Sequence, residues 1–262
     1  MTAAAALRDL YDAQLRAHVP EPLPAGLVVE RDGPLVRSYG LGPQGWVEYR
    51  DLGDLSAAEL DELIARQVAR FSELGVPFEW KFHSHDRPAV LEERLVAAGF
   101  VAEDLETVLV AEAAAVPAGE PPQGVRLREV RERADLERID DLAAVVWGEG
   151  ERWHAEVLSG ELAADPDGIA VVVAEAEGAV VSAAWVRFPA GTEFATFWGG
   201  STHPDWRGRG IYRALVAHRA RLALARGRRW LEVDALPTSR PILERLGFRA
   251  VTETRPYVWT PR

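Results

Sequence analysis

Thr202-His203-Pro204-Asp205-Trp206-Arg207-Gly208-Arg209-Gly210-Ile211-Tyr212-Arg213 is a turn with two glycines that follows a strand-prone run and opens an arginine-rich helix. Helix N-termini carry unpaired backbone N–H groups and the positive end of the macrodipole, so a glycine turn at that point suits a pyrophosphate. Upstream, Phe194-Ala195-Thr196-Phe197-Trp198 is aromatic and β-prone, and Gly199-Gly200 interrupts it. Paired glycines inside a strand mark a bulge or a close backbone approach. A bulged strand, a phosphate nest and a basic helix therefore follow one another.

Two familiar phosphate loops do not fit. No G-x-x-x-x-G-K-[ST] occurs, and Arg213 stands where a dinucleotide fingerprint has its third glycine. The stretch resembles the acetyl-CoA loop of the GNAT acetyltransferase superfamily, R/Q-x-x-G-x-G/A after V-x-P, here Arg207-x-x-Gly210-x-Tyr212 after Thr202-x-Pro204. Tyr212 departs from the small residue of that pattern. Downstream, Trp230-Leu231-Glu232-Val233-Asp234 reads as a strand and Ser239 to Phe248 as a short helix ending in Gly-Phe, as in the family. The asparagine and tyrosine usual there fall near Leu236 and on Leu243, so the residue often used to protonate the departing thiolate is missing.

The resemblance covers roughly residues 124–260 and implies an α/β fold with a mixed sheet. It further implies acetyl-CoA as co-substrate, held by Gly200, Ser201, Thr202, Arg207, Gly208, Arg209, Gly210, Ile211 and Tyr212. One backbone N–H from Gly200, Ser201 or Thr202 would polarise the thioester carbonyl.

The chain has 262 residues, enough for two domains, and no cysteine. No N-terminal signal pattern is present, and no apolar run approaches the roughly 20 residues of a membrane helix. A cytoplasmic protein is the expectation. A net charge of −11 disfavours nucleic acid and anionic membranes as partners and favours cationic small molecules near the surface. Against that background Arg207, Arg209, Arg213, Arg219, Arg221, Arg226, Arg228 and Arg229 form a local cationic run, of which Arg207 and Arg209 are expected to meet phosphate.

Residues 111–123 are small, proline-containing and aperiodic, and read as a linker between a first unit, 1–110, and a second, 124–262. In the second, strands are expected near 125–128, 169–175, 179–188 and 193–202, a helix runs along Leu136, Ile139, Ala143 and Trp147, and a longer helix spans about 208–226 before Gly227. The first unit repeats the order: strands near 26–30, 35–39 and 46–50, a helix from the Ser56/Glu59 capping box to Gly75, a strand at 78–82, a helix at 88–98 and a strand at 105–110. Arg87-Pro88 … Gly99-Phe100 echoes Arg240-Pro241 … Gly247-Phe248. Two tandem GNAT-like copies are implied, the first degenerate, since its turn Asp51-Leu52-Gly53-Asp54-Leu55 is acidic and lacks arginine.

Acyl transfer to an amine needs a base. The bulged strand has no carboxylate between Phe194 and Thr202 and Glu193 lies too early, which leaves Asp234 as the catalytic candidate, with a capping role or a water relay as alternatives. The acceptor side would draw on Asp140, Asp141, Trp147, Glu149, Glu151, Trp153 and His154, carboxylates among indoles that suit a cation. His203 and His218 read as turn and boundary residues. His83, His85 and Asp86 lie close together but without further ligands, so no metal is expected. The resulting expectation is direct transfer from acetyl-CoA to a small amine. The alternatives are a non-catalytic acyl-CoA binding or regulatory protein and a transferase resembling the two-domain mycothiol synthases.

Overall fold

The apolar alternations become strands within a few residues of their expected places. The computed structural model describes residues 3–148, 150 and 152–261. In chain order the first half comprises α1 (Ala3–Gln14), β1 (Val28–Asp32), β2 (Leu35–Tyr39), β3 (Gly45–Tyr49), α2 (Ala57–Leu74), β4 (Phe78–His83), α3 (Leu91–Ala97), β5 (Val101–Ala102) and β6 (Glu106–Glu112). The second comprises β7 (Arg126–Val130), α4 (Arg133–Trp147), α5 (His154–Ala164), β8 (Ile169–Ala176), β9 (Ala179–Arg187), β10 (Phe194–Thr202), α6 (Ile211–Ala225), β11 (Trp230–Ala235), α7 (Arg240–Arg245) and β12 (Arg249–Trp259). Helix α1 and strand β12 have no counterpart in the sequence reading. No helix among the described residues is long and apolar enough to cross a membrane.

Local chemistry explains the boundaries. Ser56 and Glu59 close the expected capping box on α2, and Gly75 ends that helix in the left-handed region. Helix α6 starts at Ile211 rather than 208 because Gly210, at φ 90°, is its N-cap. The Arg228 N–H bonds the Ala223 carbonyl past Gly227, the usual closure at a glycine C-terminus.

All described strands share one mixed sheet in the order β1-β2-β3-β4-β12-β6-β11-β10-β9-β8-β7, with β5 on β12. Each half therefore lends its last strand to the other. β6 pairs antiparallel with β11 of the second half, and β12 pairs antiparallel with β4 of the first. The two lent strands pair with each other at the centre. The segment 111–123 is only partly a connector: Ala111 and Glu112 continue β6, Ala113 is buried in the core over α6, and Gly119 lies close against Ala217 of that helix. Small side chains permit that approach.

Strand alternation divides the apolar residues between two faces. One face carries α6 and α7 over Leu109, Phe197, Leu231 and Val233, and α2 and α3 over Val47, Phe78 and Trp80. The opposite face carries α4 and α5 over Val171, Ala183 and Trp185, and α1 over Val108, Val110 and Phe194. The exchange couples the halves mechanically. A protease site engineered between Pro117 and Gln123 should yield two fragments that co-elute in native gel filtration and separate only in denaturant. Native separation would contradict the exchange.

Candidate active site

Strands β10 and β11 run parallel only through the pairs Phe194/Trp230, Ala195/Leu231 and Thr196/Glu232, and then part. Between them opens a cavity of about 370 Å³ that reaches residues of both faces, from Tyr212 and Arg219 on one to Trp147 and His154 on the other. The β9–β10 register slips between Trp198 and Ser201, which leaves Gly199 and Gly200 without partners on β9. This is the bulge expected from the sequence. Gly199, at φ 64°, has the Trp185 ring 1.9 Å from where a Cβ would sit, so neither the backbone nor the space admits a side chain.

Arg219 secures the bulge from behind. It is 1% exposed, donates from Nε to the Leu215 carbonyl at 3.3 Å and from Nη1 to the carbonyls of Trp185 at 3.1 Å and Trp198 at 3.4 Å, and lies 4.1 Å over the Phe197 ring. Burial pulls its pKa down to about 10, so it remains charged at neutral pH. It belongs to the cationic run of the sequence but not to the phosphate turn. Arg228 is likewise committed elsewhere, donating to the Phe188 carbonyl at 3.1 Å.

The turn itself keeps its donors free. Among the described residues the amides of Gly208, Arg209, Gly210, Ile211 and Tyr212 donate to no protein acceptor, and the first capping bond runs from Ala214 N–H to the Gly210 carbonyl at 3.1 Å. Arg207 Nε bonds the Thr202 carbonyl at 3.1 Å, and Arg209 bonds the Asp205 carbonyl at 2.9 Å while stacking 4.5 Å over Trp206. Both guanidinium groups are thus held beside the open amides on an exposed edge. Donors and charge fit a diphosphate. Ser201 and Thr202 continue β10, where Ser182 Oγ donates to the Ser201 carbonyl at 2.6 Å and lies 2.8 Å from Thr202 Oγ1. The Tyr212 ring lies against Gly200, with Cε2 2.9 Å from where a Cβ would be.

On the face of α1, α4 and α5 the opening is acidic. Glu79, Glu106, Glu232 and Asp234 line it together with Lys81. Lys81 donates to Asp234 and lies 3.6 Å from Glu106. β4 and β11 are separated by β12 and β6 in the sheet, so this contact requires the face to be concave here. Glu232 is 6% exposed and makes no hydrogen bond or ion pair among the described residues; Glu79, 7% exposed, has only a 3.5 Å contact from Gln44 Nε2. Burial raises the Glu79 pKa to about 7, with Lys81 opposing and Glu106, Asp234 and Glu48 reinforcing. Burial and then Asp234 lift that of Glu232 well above the carboxylate range, and Lys81 is held firmly protonated by Asp234 and Glu106 against its own desolvation.

The remaining sequence candidates scatter. Asp234 lines the opening, but its carboxylate is taken up by Lys81. Asp140 caps α5, accepting from the His154 N–H at 2.8 Å and the Ala155 N–H at 3.3 Å, and Asp141 pairs with Arg152 at 2.6 Å. Trp147, 59% exposed, and His154, stacked on Trp153 at 4.1 Å, stand at the rim. Glu149 and Glu151 lie outside the described residues. His203 accepts from the Asp205 N–H at 3.2 Å as a turn residue, and His218 lies 3.8 Å from Glu129. Glu79, Lys81, Glu106 and Glu232 were missed because three of them belong to the first half and Glu232 sits in an apparently ordinary strand. Charged residues at alternate positions of a buried strand, Glu79/Lys81 and Glu232/Asp234, were the available signal.

The equivalent opening of the first half, between β3 and β4 beyond Val47/Trp80, is filled. Arg16 pairs with Asp86 at 2.7 Å, donates to the Tyr49 carbonyl at 3.2 Å and stacks 5.0 Å over the Tyr49 ring. Tyr11 and His83 bond beside it at 2.9 Å, and His85 bonds Asp12 at 2.9 Å and Thr252 at 2.7 Å. These contacts account for His83, His85 and Asp86 as a structural network. Among the described residues no group of three or more metal-ligating side chains exists.

Residues 167–250 match the sequence model of the acetyltransferase (GNAT) domain. This stretch marks a GNAT-type domain within the second half of the chain. The match runs from just before β8 to the start of β12 and so contains the parted strands, the glycine turn and α6. A GNAT structure from Kribbella flavida superposes over 100% of this chain and 97% of its own with a TM-score of 0.71 at 15% identity. A tandem GNAT protein from the clavulanic acid biosynthesis pathway covers 91% of this chain and 84% of its own, with a TM-score of 0.61 at 16% identity. A Sphaerobacter thermophilus GNAT structure covers 92% and 82%, with a TM-score of 0.63 at 17% identity. The fold of both halves is therefore shared with known GNAT structures. No curated protein matches the sequence.

Two outcomes follow. Arg219→Leu strips the buried carbonyls of Trp185 and Trp198 of their donor and should cost about 3 kcal/mol in urea unfolding. Glu79 binds a proton in the folded state up to about pH 7 but in the unfolded state only to its ordinary 4.5, so its contribution to stability declines as pH rises through that window. The melting temperature of Glu79→Gln, relative to wild type, should accordingly be higher at pH 8 than at pH 5, checked by calorimetry at both.

Proposed function

We propose that the protein transfers an acetyl group from acetyl-CoA directly to a primary amine of a small cationic acceptor. The observation that carries this reading is Glu232, a buried carboxylate without a partner among the described residues at the point where β10 and β11 part, in an opening that is also lined by Tyr212 from the first turn of the helix the glycine turn opens. Carboxylate and open amides together match a diphosphate thiol ester meeting an ammonium.

The residues divide the work as follows. The amides and arginines of 207–212 hold the diphosphate. The N–H groups released by the bulge at Gly199-Gly200 polarise the thioester carbonyl as charge develops on its oxygen. Glu232 takes the proton of the attacking amine: its raised pKa narrows the gap to an ammonium, which Asp234, bound to Lys81, cannot do as well. Trp147, and the face of Trp198 not covered by Arg187, form walls against which a cation packs.

A second reading, an acyl-CoA binding protein without transferase activity, draws support from Leu243. It is fully buried in the core where family members often carry the acid for the thiolate. A thiol-release assay with acetyl-CoA across polyamines, aminoglycosides and amino-acid amines separates the two. Release on a cationic amine is expected; calorimetric acetyl-CoA binding without release on any amine would favour the second reading. Arg207→Glu should weaken acetyl-CoA at least tenfold, and unchanged heats would remove the cofactor assignment.

A further inference from the structure

We propose that the acceptor carries two cationic nitrogens and lies across the seam of the exchanged strands, its reacting end at Glu232 and its second ammonium at Glu79. The inference rests on the transferase reading of the same opening and adds to it the class of acceptor and a role for the first half.

The charge pattern along the acidic wall carries the argument. Lys81 sits at its middle and supplies an internal ammonium to Glu106 and Asp234. On either side stands one carboxylate that it does not reach within ion-pair distance: Glu79 on β4 of the first half and Glu232 on β11 of the second. Each is more than nine-tenths buried, Glu232 has no partner among the described residues, and Glu79 has only the long Gln44 contact. Burying an unneutralised carboxylate is costly, so two such groups in one opening are the complement of a ligand that brings two positive charges.

The walls repeat the pattern. Trp46 is the strand partner of Glu79 in the β3–β4 pair, and Trp198 follows two residues after Thr196, the strand partner of Glu232. Each carboxylate thus has an indole beside it on the neighbouring strand, and both indoles line the cavity, Trp198 with one ring face already covered by Arg187 at 4.7 Å. A carboxylate beside an aromatic face recognises an ammonium by charge and by cation–π attraction. The raised pKa values of both glutamates fit this arrangement, since an arriving dication lets them ionise and binding then releases protons.

The test is titration calorimetry of the free protein with 1,4-diaminobutane and with n-butylamine, at pH 6.5 in two buffers of different ionisation enthalpy. The diamine is expected to bind at least tenfold more tightly than the monoamine and to release protons. Glu79→Gln should bring the diamine down to the monoamine level while acetyl-CoA still binds, which also shows that the variant is folded; Trp46→Leu should act in the same direction. Equal affinities for the two amines, or proton uptake in place of release, would overturn the proposal. Diamine binding of the expected kind with no thiol release on any amine would overturn the transferase reading while upholding the two-carboxylate dication site. Acetylation of mono- and diamines with equal kcat/KM would do the reverse.

Discussion

The antiparallel pairing of β6 with β12 is the constraint on which both halves rest. Each strand belongs by sequence to one half and by hydrogen bonding to the other, so neither half closes its own sheet. The pairing is long-range in sequence, and its loop-closure cost is met only when both halves are in place. It also brings β4 close enough to β11 for Lys81 to meet Asp234 over two intervening strands. Without the exchange the acidic wall has no first-half side.

That wall is electrostatically unfinished. Four carboxylates share one lysine in a largely buried setting, and the shifts of Glu79, Glu106 and Glu232 all run upward. The surface clusters behave oppositely: Glu30 between Arg37 and Arg70, and Glu175 between Arg128 and Arg138, are each pulled down to about 2 by hydrogen-bonded guanidinium groups. Where the chain only needs ion pairs, it makes them in full. The shortfall is concentrated at the opening, with Glu48 on β3 also shifted upward by burial nearby, the pattern expected of a site that meets its counter-charge in a ligand.

The two halves show how one architecture is kept while one of its openings is lost. In the second half the strands part around glycines, and the helix beyond presents unpaired amides. In the first half the matching gap receives Arg16, pinned by Asp86 and stacked on Tyr49, and the turn before α2 carries Asp51 and Asp54. The first half contributes instead through the α1 side of its β4, where Glu79 and Lys81, on the same face of the strand as His83, line the opening of the other half.

The sequence by itself determined what is local. The glycine turn at 208–210, the bulge at Gly199-Gly200, the capping box at Ser56 and nearly every strand were legible because turns, caps and alternation are decided by neighbours a few residues away. Helix α1 was legible in principle, since Leu7, Leu10 and Tyr11 recur at helical spacing and pack together, whereas charged residues and a proline interrupt β12. Only the tertiary structure decided which strands exchange, that Asp234 is held by Lys81, and that Glu79, Glu106 and Glu232 share one wall. Those facts depend on pairings between residues some 150 positions apart and on the curvature of the sheet, which leave no trace in any short stretch of chain.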